Sequence, residues 1–130
     1  MKDNKNTILL VDDNPDNIEL LVEILRAQGY DTLTAQTGRD AIHIAAESNP
    51  DLILLDIAMP VMDGFEVFRV LKADKSTASI PVIFVTGVME SEKVLDAIAD
   101  DGVDYVPKPF VISDVLEKIE RHISDTSKKI

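Results

Sequence analysis

The sequence predicts an α/β fold: a five-stranded parallel sheet, doubly wound by helices, with strand order 2-1-3-4-5. Three observations lead there. Short apolar runs alternate at least four times with amphipathic segments, the rhythm of crossover units around a parallel sheet. The strongest run, Leu52 to Leu55 in DLILLD, is continuously apolar rather than alternating, as in a strand covered on both faces. At 130 residues the chain suits one domain with one sizeable core, and 2-1-3-4-5 is a common winding for five such strands.

The elements follow in order. Ile8 to Val11 forms the first strand. Asn14 then offers an N-cap and Pro15 a proline at the first helical position. Ile18, Leu21, Val22 and Leu25 recur at helical spacing until Gly29 stops the helix. A shorter strand spans Thr32 to Ala35. Thr37, with Asp40 three residues on, makes a capping-box-like pair that opens a second helix carrying Ala41, Ile42 and Ala45 on one face. Asn49-Pro50 closes it. After the strand Leu52 to Leu55, Gly64 opens a helix whose buried stripe is Val67, Phe68 and Leu71. Pro81 to Val85 is the fourth strand, ending at Thr86. Val94, Leu95 and Ile98 mark a fourth helix that stops near Gly102. Tyr105-Val106 is a short fifth strand cut off by Pro107, which cannot donate to a central ladder, so this strand belongs at a sheet edge. The last helix carries Val115, Leu116, Ile119 and Ile123 on one face, and SDTSKKI is expected to fray. With no repeat and no linker in view, residues 1–130 are expected to form one domain, its core at about 6–124 between polar termini.

Composition excludes several classes. The apolar fraction is 45% and the charged fraction 28%, as in ordinary soluble proteins, and no apolar run approaches the roughly 18 residues of a membrane span. The opening MKDNKNT has neither a signal peptide's apolar centre nor an Arg-rich transit pattern, so a cytoplasmic location is the expectation. The lack of cysteine rules out disulfides and thiolate metal sites. A net charge of -11 argues against direct contact with nucleic acid or an anionic membrane, which need clustered Lys and Arg.

In the predicted winding, ligands bind beyond the carboxyl ends of the strands where the winding reverses, between strands 1 and 3. Strand 1 ends in Asp12-Asp13, strand 3 in Asp56, strand 4 in Thr86, and Lys108 follows strand 5. Singly, each has an ordinary explanation: Asp12 or Asp13 can favour the first helix N-terminus, Thr86 can cap a helix, and Lys108 can be a solvated amine. Together, three carboxylates and one ammonium leave about two negative charges uncompensated in one crevice. Each like-charge contact at ~4 Å costs on the order of 1 to 4 kcal/mol. A divalent cation with oxygen ligands is the economical answer, and Mg²⁺ suits so open a site. Zinc and haem are not suggested, because cysteine is absent and His43 and His122 stand on different helical segments, where each is expected to be structural. With the local charge cancelled, one carboxylate can attack a phosphoryl group. Central Asp56 is the candidate nucleophile, Asp12 and Asp13 the metal holders, and Lys108 and Thr86 the groups that take phosphoryl oxygens.

Four motifs, VDDNPDN, LLDIAMPVMDG, FVTG and YVPKPF, occur in this order at four strand ends. In that combination the chain resembles a response-regulator receiver domain of two-component signalling, of the chemotaxis-regulator kind, over residues 6 to 124. The resemblance implies a flavodoxin-like (βα)5 fold with Asp56 as phospho-acceptor. It implies that Asp13 and Asp56 ligate Mg²⁺ directly, Asp12 mostly through water, with the Ala58 carbonyl completing the set and Mn²⁺ as a substitute. It also implies a cis Lys108-Pro109 bond, and a switch in which Thr86 moves toward the phosphoryl group and Tyr105 follows, altering the face made by the fourth helix, fifth strand and last helix. The implied donor is a sensor histidine kinase or phosphotransfer protein, and the implied output is a downstream effector or self-association. No small-molecule turnover is implied, only self-catalysed phosphorylation and dephosphorylation. Ala58 and Val88 are apolar where several fast-cycling regulators carry polar groups, which implies a long-lived aspartyl phosphate.

Three rivals share part of the pattern. A dehalogenase-like phosphatase wants a second acid two residues after its nucleophile, where this chain has Ala58. A flavodoxin-like electron carrier needs a phosphate-cradling loop after strand 1, where DDNPDN would repel phosphate. A pseudo-receiver scaffold that is never phosphorylated remains the alternative, against which the intact set of acids, Thr and Lys speaks.

Overall fold

The computed structural model describes residues 6–87 and 104–128, with side chains through residue 123. Strands β1 Thr7–Val11, β2 Asp31–Ala35, β3 Leu52–Asp56, β4 Val82–Thr86 and β5 Asp104–Pro107 form one parallel sheet in the order β2-β1-β3-β4-β5. The predicted winding is therefore the observed one, with β5 at an edge. The described helices are α1 Pro15–Ala27, α2 Gly38–Ser48, α3 Gly64–Ala73 and the C-terminal α4 Ile112–Lys128. The helix expected around Val94, Leu95 and Ile98, its stop near Gly102, and Val88 lie outside the described residues.

Local chemistry explains the helix limits. Asn14 is extended and its side chain accepts the Asp16 N–H at 2.9 Å, ahead of Pro15. Past α1, Gly29 takes φ 93°, a left-handed value that costs glycine little. At α2, Thr37 accepts the Asp40 N–H at 3.1 Å. The reciprocal box forms one helix later, where Asp63 accepts from Glu66 N and Glu66 accepts from Asp63 N, both at 3.0 Å. Asn49 ends α2 at φ 50°, a conformation asparagine tolerates better than most residues. The C-terminal helix runs to Lys128, and neither glycine nor proline interrupts it before that residue.

The sheet separates two apolar layers. On one face Leu9, Val11, Ile53, Leu55, Val82 and Phe84 pack against Ala41 and Ala45 of α2 and Val67, Phe68 and Leu71 of α3. On the other, Ile8, Leu10, Leu52, Leu54, Ile83 and Val85 pack against Leu21 and Leu25 of α1 and Val115, Ile119 and Ile123 of α4. Successive strand residues alternate between the layers, so β1, β3 and β4 are apolar at every position between their polar ends, Thr7, Asp56 and Thr86. The expected stripe residues Val22, Ile42 and Leu116 are only partly buried and flank these layers. Phe84 anchors the first layer, with Phe68 at 5.2 Å and Phe65 at 5.4 Å between ring centroids. Each fully buried aliphatic side chain contributes about 1.5 to 3 kcal/mol, so the central strands are stiff supports for whatever stands at their ends.

Candidate functional site

Sheet register brings the chemistry together. Val11 pairs with Leu55, so Asp12 and Asp56 stand side by side at the carboxyl ends of β1 and β3. Asp56 pairs with Val85, and Thr86 with Pro107, which puts Lys108 one residue beyond. Backbone bonds hold these ends in place: Asp12 N donates to Ala35 O at 3.1 Å, Ile57 N to Val85 O at 3.1 Å, and Lys108 N to Thr86 O at 2.7 Å. The Lys108-Pro109 peptide is cis.

The loop after Asp56 is tightly folded. Ala58 N donates to Asp56 Oδ1 at 3.3 Å, and Gly64 N donates to Ile57 O at 2.9 Å. A Cβ on Gly64 would lie 2.5 Å from the Asp56 carbonyl oxygen, so only glycine lets the start of α3 approach β3 this closely. Between them Met62 N donates to Pro60 O at 2.7 Å, closing a γ-turn around Val61 at φ 69°. A β-branched residue at positive φ is strained, and Val61 is fully exposed at that apex.

Asp12, Asp13 and Asp56 each place a carboxylate oxygen within 4.8 Å of the others. Asp12 and Asp56 are buried, whereas Asp13 is exposed at the rim. Lys108 Nζ lies 3.3 Å from Asp56 Oδ1 and 3.7 Å from Asp12 Oδ2. Asp56 Oδ2 is buried and, among the described residues, has no hydrogen-bond partner. Burial first, and then the Asp12 carboxylate, push the Asp56 carboxyl up to about 6, against the opposing pull of Lys108 and the Ala58 N–H. Among the described residues Lys108 is the one ammonium in contact with these carboxylates, and a single positive charge does not compensate three acids. Oxygen donors, an orphaned buried carboxylate oxygen and uncompensated negative charge are the chemistry of a hard divalent-cation site, so the residues fit a bound Mg²⁺.

The other expected residues fall around this centre. Thr86 is buried at the end of β4, and Ala58 is exposed directly above Asp56. Tyr105 is half-buried on β5 and packs against the α2/α3 layer, with Lys118 Nζ 5.0 Å from its ring centroid. His43 pairs with Glu47 at 3.4 Å and His122 with Asp104 at 3.2 Å, both away from the acid cluster. Sequence reading missed the support of Asp12. Asn14 N donates to its Oδ1 at 2.9 Å, and the Asn17 side-chain amide donates to its Oδ2 at 3.2 Å. The one available signal was a polar residue in the first turn of a helix that begins directly after the acid pair.

Comparisons with known proteins place the chain in a family. A family model described as the response regulator receiver domain matches residues 8–120. A probable cyclic di-GMP phosphodiesterase of Vibrio cholerae is 41% identical over 123 residues, covering 95% of this chain but 28% of that protein. The polar-differentiation response regulator DivK of Brucella ovis is 35% identical over 121 residues, covering 92% of this chain and 97% of its own length. Among solved structures, the receiver domain of sensor histidine kinase PA1611 from Pseudomonas aeruginosa, with a magnesium ion coordinated in its active site cleft, superposes with a TM-score of 0.82. It is 31% identical and is matched over 93% of this chain and 99% of its own.

Proposed function

The chain belongs to the response regulator receiver domain family, and from that premise we propose that Asp56 accepts a phosphoryl group from the phosphohistidine of a sensor histidine kinase or phosphotransfer protein. The phospho-acceptor role in two-component signalling is the family's. The assignment of residues, metal and partners is our reading, and one observation carries it: the buried Asp56 carboxylate has an oxygen with no partner, beside a second acid and within 3.3 Å of Lys108.

In this reading an Asp56 carboxylate oxygen forms a bond to phosphorus while the bond from phosphorus to the donor imidazole nitrogen breaks. The electron pair stays on the imidazole, which takes a proton from solvent. Lys108, already beside Asp56, binds one transferring oxygen, and the Thr86 hydroxyl donates to another. Asp12, Asp13, Asp56 and the Ala58 carbonyl would hold Mg²⁺, or Mn²⁺ in its place. When bound, the cation supplies the positive charge that the transferring oxygens require. After transfer, Thr86 is drawn to the phosphoryl group and Tyr105 follows, so the face around β5 and α4 changes its fit to a partner. Output is then by contact with a downstream effector or by self-association. Residues of about 6–124 serve as the receiver core; the chain spans nearly the length of DivK but about a quarter of the phosphodiesterase relative. Among the described residues no helix is long and apolar enough to cross a membrane.

The deciding experiment is intact-protein mass spectrometry after incubation with Mg²⁺ and a small acyl phosphate, for the wild type and Asp56→Asn. The expected result is one phosphoryl adduct that requires Mg²⁺ and is missing in the variant. No adduct from either the acyl phosphate or a phosphorylated histidine kinase would instead mark a pseudo-receiver.

A further inference from the structure

Asp12 differs from Asp56 in how its oxygens are occupied. Both acids are buried, at 3% and 1% exposure. Asp56 keeps one oxygen without a partner, whereas both oxygens of Asp12 accept hydrogen bonds from the start of α1: Oδ1 from Asn14 N at 2.9 Å, Oδ2 from Asn17 Nδ2 at 3.2 Å. Lys108 Nζ approaches the same Oδ2 only to 3.7 Å. Asn17 sits in the first turn of α1 and is half-buried, so its amide faces the crevice rather than bulk solvent.

A carboxylate has about four lone-pair sites, and two of those on Asp12 are taken by donors that carry no charge. That matters because the competing donor is charged. An ammonium seated squarely between Asp12 and Asp56 would occupy the position of lowest potential energy for a cation, and so would compete with a bound ion. A neutral amide fixes the carboxylate without adding positive charge to the crevice. An Arg or Lys at position 17 would fix it too, while repelling the ion.

We propose that Asn17 is a positioning residue for the cation site: through its bond to Asp12 Oδ2 it fixes the orientation of that carboxylate in the crevice without adding positive charge, and so raises the affinity for Mg²⁺. This rests on the reading of the acid cluster as a Mg²⁺ site given above. Groups that orient metal-binding carboxylates through hydrogen bonds typically change metal affinity by about 10- to 100-fold when removed. Asp12 is one acid of three, so the lower end of that range applies.

The test is a titration of the metal-free full chain with MgCl₂, followed by backbone amide NMR shifts, for the wild type, Asn17→Ala, Asp12→Ala and the double variant. Melting temperatures without metal are measured in parallel. Asn17→Ala is expected to weaken Mg²⁺ binding about tenfold while leaving the metal-free melting temperature within about 2 °C of wild type. In the Asp12→Ala background the same replacement is expected to have no effect on affinity, because the two act as one unit. Unchanged affinity in Asn17→Ala, or an equal loss with and without Asp12, would overturn the proposal while leaving the site's Mg²⁺ reading standing. A wild type that does not bind Mg²⁺ would overturn both.

Discussion

Asp56 and Asp104 are both partly or fully sequestered aspartates on neighbouring regions of the sheet, yet their surroundings drive them in opposite directions. Burial pushes Asp56 up to about 6, Asp12 adds to that, and Lys108 answers only in part. Burial also raises Asp104, but the Tyr105 N–H at 2.8 Å, His122 at 3.2 Å and Lys118 at 3.7 Å outweigh it and hold the carboxyl below its usual value. Arg121 Nη1 adds a fourth contact at 3.9 Å. One acid is surrounded by donors and the other is short of them. Stability favours the first arrangement; an acid kept short of partners stores an unfavourable charge that a cation and a phosphoryl group can relieve.

The largest expected effect comes from removing the one ammonium seen at the deficient site. Lys108→Ala should slow phosphorylation of Asp56 by on the order of 100-fold, the scale on which a single oxyanion donor acts. Rate of adduct formation by mass spectrometry checks it, and an unchanged rate would mean that Lys108 does not take a transferring oxygen.

Next is the pH dependence of folding without metal. Asp56 titrates at about 6 in the folded chain against 3.8 for the free group. Its pKa is raised, so the folded state holds its proton more tightly. The associated stability is fully present below about pH 3.8 and is lost as pH rises through 6. Asp56→Asn should therefore be more stable than wild type at pH 7 by on the order of 1 to 3 kcal/mol, and the gap should vanish below pH 4. Urea unfolding at several pH values in EDTA measures both.

Asp104→Asn should act with the opposite sign. A lowered pKa contributes stability above the free-group value that is lost as pH falls through the folded value. The variant should lose about 1 kcal/mol at pH 7, as for a partly exposed and multiply bonded carboxylate. A gain in stability in that variant would erase the contrast between the two sites.

The smallest effect concerns the apolar rim. Ala58 stands exposed above Asp56, and Ala58→Asn should shorten the aspartyl phosphate half-life by about threefold to tenfold, on the scale of modest general-base assistance. Loss of the adduct with time after desalting follows it. An unaltered half-life would separate hydrolysis from the polarity of this position.

Most of the fold was legible because the relevant physics is local. The unbroken apolar runs of β1, β3 and β4 reflect burial on two faces, and Asn14-Pro15, Thr37 and Gly29 mark helix ends through bonds to nearby backbone. The Asp63 and Glu66 box is equally local, an acid immediately before the Gly64 helix start with a Glu three residues on.

By itself the sequence determined the alternation of five strands with helices, the placement of Asp12, Asp13, Asp56, Thr86 and Lys108 at strand ends, and the excess of negative charge there, since these follow from residue type and period; the order 2-1-3-4-5 rested on its being a common winding for such strands. Only the tertiary structure decided that Asp56 Oδ2 lacks a partner while both oxygens of Asp12 have one, that Lys108 leans toward Asp56 rather than Asp12, and that Asp104 is over-supplied with donors. The physical reason is distance: charge count is a property of composition, but compensation depends on separations of a few ångströms between residues far apart in the chain, and register and packing set those.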